Sequence, residues 1–203
     1  MIHTVREELV EHLPFTAIGG LIGIILVFLL RNVGHSVAST LFYIAHPLHV
    51  FLSAVVTTAV YRLHTIDHKI TFLYGLKVFL IGYIGALGIA TLSDSLLPHL
   101  GEVMVGMEDS HAHVGFIEKW WLVHPIAILG IIVALVKPQT KMPHAGHVLL
   151  SSWASLFHIL MAQGDMVSVS AYAVLFTFIV ISVWIPCCLS DIIFPMLFVK
   201  KKD

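Results

Sequence analysis

Charged side chains are scarce in this sequence, 11% of 203 residues, where soluble domains carry about 25%. An ordinary water-soluble domain is thereby excluded. Basic residues form no stripe or patch, and 11 Lys and Arg against 12 Asp and Glu leave a net charge of −1. Nucleic acid is not an expected partner. Cysteine is confined to the neighbours Cys187 and Cys188, at the end of an apolar run where a disulfide framework is implausible. Both are expected to be small apolar fillers, with metal ligation by one of them as the alternative. His-Glu-x-x-His and the other named catalytic motifs are missing too. Alternating ten-residue segments of the kind a membrane barrel needs do not occur.

What remains is apolar. Hydrophobic residues make up 58% of the chain, the mean hydropathy is +0.95, and these residues fall in long blocks rather than amphipathic stripes. A helix crossing the ~30 Å hydrocarbon core needs about 20 such residues. The blocks therefore predict an all-α integral membrane protein with six transmembrane helices, at 13–30, 42–61, 72–93, 120–136, 145–162 and 168–188. Nine Lys and Arg (Arg6, Arg62, Lys69, Lys77, Lys137, Lys141, Lys200, Lys201, Lys202) fall on one side of this arrangement, and only Arg31 and Lys119 on the other. The positive-inside rule then puts both termini in the cytoplasm, with the chain in the plasma (inner) membrane. Acidic residues near the start, Glu7, Glu8 and Glu11, do not suit a cleaved signal peptide.

Two stretches nearly repeat. His46-Pro47-Leu48-His49-Val50-Phe51-Leu52-Ser53 resembles His144-Ala145-Gly146-His147-Val148-Leu149-Leu150-Ser151, and Leu92-Ser93-Asp94 resembles Leu189-Ser190-Asp191. The spacing from first His to Asp is 48 residues in one half and 47 in the other. An internal duplication accounts for both matches at once. Each half, 1–100 and 101–203, holds three spans, and an odd number obliges the second copy to insert upside down. The expected fold class is thus a 3+3 inverted-topology repeat forming one membrane domain.

Inversion sorts the polar residues by surface. His46, His49 and Asp94 are expected at the outer face with Glu118 and His124, and His144, His147 and Asp191 at the inner face with Glu8, Glu11 and His12. These are two metal-binding clusters, separated by 20–25 Å on the ~1.5 Å rise per residue. Histidines at i and i+3 share a helix face and can aim two imidazoles at one point. Imidazole with carboxylate suits a divalent transition metal, zinc or iron first. Ser53, Ser93, Ser151 and Ser190 are candidate supporting donors. His158 has no counterpart in the first half, where Val60 stands, and is expected nearer the outer cluster.

A small divalent-metal transporter is the first expectation, because swapping the conformations of two inverted halves gives alternating access. Such carriers usually hold their ion near the midplane, where the sequence offers only hydroxyls. A membrane-embedded metalloenzyme, a zinc hydrolase or di-iron oxidase, is the alternative. Haem ligation is disfavoured, since the paired histidines lie within one helical turn beside carboxylates. Lipid and metal ions are the expected partners, and a homodimer is compatible with the glycine-bearing helix faces.

Overall fold

The computed structural model describes residues 16–26, 28–30, 33–65, 71–139, 141–162, 168–188 and 193–199, with side chains at 141–145, 169 and 188 outside the description. Among the described residues the chain is helical, with no strand. The elements are α1 (Thr16–Leu26), α2 (His35–His64), α3 (Phe72–Thr91), a π-helical turn (Leu92–Leu96), α4 (Leu97–Met104), α5 (Gly115–Glu118), α6 (Trp120–Val136), α7 (Lys141–Met161), α8 (Val169–Cys188) and α9 (Phe194–Met196). Three helices are long and apolar enough to cross a membrane: His35–His64, Phe72–Met104 and Ser170–Cys187. Thr16–Leu26, Trp120–Val136 and Gly146–Met161 are apolar but shorter.

Polarity runs opposite to that of a water-soluble bundle. His46, His49, Asp94, Glu102, His147 and His158 are fully buried, while Phe72, Leu73, Ile84, Leu129 and Val136 are exposed. Apolar surface on this scale marks a face meant for lipid or another apolar partner. The same pattern explains why the helices need no amphipathic stripe: their outward positions are as apolar as their inward ones.

α2 is the central helix, with α3, α6 and α7 all packed on it. Its neighbours approach closely where they carry glycine. A Cβ on Gly130 of α6 would lie 2.5 Å from the carbonyl oxygen of Phe51, so α6 meets the α2 backbone directly. Arg62 closes the same pair by donating to the carbonyl of Ala134 at 2.8 Å, near the open end of α6. α7 runs antiparallel to α2, since Phe42 meets His158, His49 meets His147, and Leu52 meets Gly146.

Two boundaries differ from those the hydropathy suggests. α2 begins at His35 rather than at 42, because the polar-looking Ser36, Ser39 and Thr40 are compatible with helix, the Thr40 hydroxyl donating to the carbonyl of Ser36 one turn back. Pro47 consequently sits inside the helix and withholds a donor from the carbonyl of Tyr43. The helix that starts at Phe72 does not stop at 93 but continues to Met104. Pro98 has no N–H for the carbonyl of Asp94, and the ladder loosens there: the Leu97 N–H bonds Leu92, five residues back.

Candidate metal centre

The π turn brings three successive polar residues, Ser93, Asp94 and Ser95, into the core, all with no solvent exposure. Asp94 is the hub. Its Oδ2 accepts from Nδ1 of His46 at 2.9 Å and from Nδ1 of His49 at 2.6 Å. Its Oδ1 accepts from the hydroxyls of Ser93 at 2.8 Å and Ser151 at 3.0 Å. Ser155, one turn beyond Ser151, donates to the carbonyl of Ser93 at 3.0 Å and so ties α7 to the π turn.

This arrangement fixes the tautomers. An ionised carboxylate only accepts, so both histidines carry their proton on Nδ1 and present a lone pair at Nε2. Neither Nε2 has a hydrogen-bond partner among the described residues. A buried acceptor facing no donor is costly, and a lone pair set by a carboxylate behind the ring is the usual orientation of a metal-binding histidine.

The two lone pairs meet different surroundings. A Cβ on Gly115 would lie 2.5 Å from Nε2 of His46, so the backbone of α5 covers that nitrogen, and Phe42 stacks on the ring with centroids 5.3 Å apart. His49 instead faces α7 and α8. Its ring lies 4.4 Å from that of His147, and ligand atoms of His49, His147 and Cys187 all fall within 4.8 Å of one another. All three residues are buried. Two imidazoles and a thiol make a borderline-to-soft donor set, suited to zinc above iron or manganese.

Of the residues singled out from the sequence, His46, His49, Asp94 and His147 come together. Their convergence replaces the expected spacing of 20–25 Å between two clusters, because His49 lies half-way along the 30-residue α2 rather than at its outer end. Glu118 and His124 have other partners. Glu118 accepts from Tyr43 and lies 3.4 Å from Nδ1 of His113, while Nδ1 of His124 is 2.8 Å from the hydroxyl of Tyr83. Burial opposes the ionised form of Glu118, but the bonds from Tyr43 and His113 outweigh it and hold its carboxyl below the ordinary range. Glu8, Glu11, His12 and Asp191 lie outside the described residues, as does the side chain of His144.

The chain matches no known family model, no curated protein and no solved structure. Two features of the site were not selected from the sequence. Cys187 is expected from the sequence to be a small filler first and a metal ligand second, and the structure sets it beside His49 and His147. Glu102 lies beyond the span end expected at 93, and its burial depends on the continuation of that helix through Pro98 to Met104.

Proposed function

We propose that the chain is a membrane carrier for a divalent transition metal, zinc in the first instance, with His49, His147 and Cys187 as its central ligands. The observation that carries this reading is the convergence of three donors from α2, α7 and α8 at a buried point half-way along the central helix α2. It answers the objection that the middle of the protein holds only hydroxyls. Asp94 supplies the acidic group there, acting behind the His49 ring. Among the described residues three donors meet here, and three hold an ion without closing its coordination shell, which suits a site that must also release it.

The finer architecture belongs to the same proposal: six spans, built as two inverted three-helix repeats. In such a repeat the equivalent helices α2 and α7 run antiparallel, and their equivalent residues His49 and His147 meet where the two copies cross. The packing of α2 on α7 supports that arrangement.

Purified protein in zinc-free liposomes, with a zinc-sensitive dye inside, provides the test. Wild-type protein is expected to admit zinc, with His147→Ala and Cys187→Ser each lowering the rate at least tenfold. Zinc that is bound stoichiometrically, resists a chelator and never crosses would overturn the carrier reading in favour of a structural or catalytic ion.

A further inference from the structure

A second buried acid–base group lies on the same helix, eight residues and ~12 Å beyond Asp94. Glu102 is fully buried and uses both oxygens. Oε1 accepts from Nδ1 of His158 at 2.7 Å, and Oε2 accepts from the hydroxyl of Ser110 at 2.9 Å. Since the Ser110 proton is directed at Glu102, its oxygen is left to accept from Nδ1 of His99, 2.8 Å away. His99 is 29% exposed. Three hydrogen bonds thus lead from a solvent-accessible imidazole through one hydroxyl and one carboxylate to a fully buried imidazole.

Phe42 stands between the two polar centres, stacked on His46 and edge-on to His158 with centroids 5.6 Å apart. From the loop, the backbone N–H of His113 bonds Nε2 of His158 at 3.3 Å. The His113 ring continues toward Glu118 and Tyr43 at the surface. α8 presents Phe178 to this level, against Gly101.

We infer that Glu102 and His158 form a proton-binding site that exchanges with solvent through His99 and Ser110, and that this proton is counter-transported against the metal. The inference rests on the carrier reading. Proton transfer along the bonds is balanced. His99, first protonated by solvent to the imidazolium, gives its Nδ1 proton to the Ser110 oxygen as the Ser110 hydroxyl proton passes to Oε2 of Glu102, and is left neutral. The net change is one proton lost by His99 and one gained by Glu102. His99 then recovers a proton from solvent. Neutralising a carboxylate as a dication leaves the neighbouring site keeps the net charge buried in the bundle from swinging widely, a condition that a low-dielectric interior enforces.

Liposomes holding both a zinc dye and a pH dye test it. Zinc entering through wild-type protein is expected to drive protons outward, and Glu102→Gln and His158→Gln to reduce protons moved per zinc at least tenfold. Ser110→Ala, which interrupts only the path from His99, is expected to slow both fluxes together. Zinc content of each purified variant, expected within twofold of wild type, shows that the central site has formed. Zinc entry without proton movement in wild-type protein, or an unchanged ratio in both Glu102→Gln and His158→Gln, overturns the proton site and leaves the carrier standing. Zinc that binds but does not cross overturns both.

Discussion

Replacing Asp94 by Asn separates two roles that the carboxylate could have at the centre. Asp94 accepts four hydrogen bonds, two per oxygen, and its oxygen nearest the histidines is already committed to their Nδ1 atoms. On the carrier reading it acts by orienting His49 rather than by touching the ion. Asparagine has nearly the same shape and keeps one carbonyl oxygen. With that oxygen toward the histidines, its amide group can donate to Ser93 and Ser151, whose oxygens accept. The fold is retained, and what disappears is the charge that holds both rings with their protons on Nδ1. Changing such a partner behind a ligand typically costs 10–100-fold in metal affinity, or about 1.4–2.8 kcal/mol. A zinc titration in detergent against a competing chelator dye measures it directly. An affinity within twofold of wild type would refute the orienting role. A loss equal to that of His49→Ala would instead make Asp94 a direct ligand.

Other consequences are structural. Gly115→Ala drives a methyl group into Nε2 and Cδ2 of His46, both 2.5 Å from the new Cβ, and should cost about 1–3 kcal/mol in thermal unfolding. Gly130→Ala meets the backbone oxygen of Phe51 and Cβ of Ala54 at 2.5 and 2.9 Å. It should destabilise by a similar ~1–3 kcal/mol, whereas Gly75→Ala in α3 meets nothing within 4 Å and should stabilise by roughly 0.5–1 kcal/mol. The depressed carboxyl of Glu118 sets an acid limb. The fold favours its ionised form, so that contribution is present above the ordinary carboxylate value of 4.5 and is lost as pH falls through the lower folded value. Melting of wild-type and Glu118→Gln protein between pH 6 and pH 3 should therefore converge at the acid end, and a constant difference would contradict the pairing with Tyr43 and His113.

Helical class and apolar character were legible in the sequence because both depend on composition over long windows. So was the partnership of His46, His49 and Asp94, which the repeated spacing of two short motifs pointed to. What could not be read was height along the helices. Hydropathy placed the start of the second span at 42, since His35, Ser36 and Ser39 score as polar. Burial of Ala38 and Phe42 nevertheless carries α2 back to His35, adding two turns and moving His49 from its end to its middle. Glu102 was hidden for a related reason: Pro98 reads as a stop, yet here it relaxes the helix into a π turn and lets it continue. Both errors treat a local signal as decisive where tertiary contacts override it. The proximity of His49, His147 and Cys187 follows from how α2, α7 and α8 cross, which no single stretch of sequence encodes.

The π turn at Leu92–Leu96 also works as a phase shifter between the two halves of one continuous rod. Successive residues in an α-helix are rotated by about 100°, so a surplus residue in one turn resets the angular position of everything after it. Asp94 and Glu102 both face the interior because that offset is present. Deleting a single residue between Leu92 and Leu96 would leave each flanking helix intact while swinging α4 about its own axis, carrying Glu102 away from His158 and toward lipid. Conversely, a bulge that slides by one position along the rod would turn one carboxylate relative to the other without bending or breaking the helix. The π turn thus sets the angle between Asp94 and Glu102 along one continuous rod.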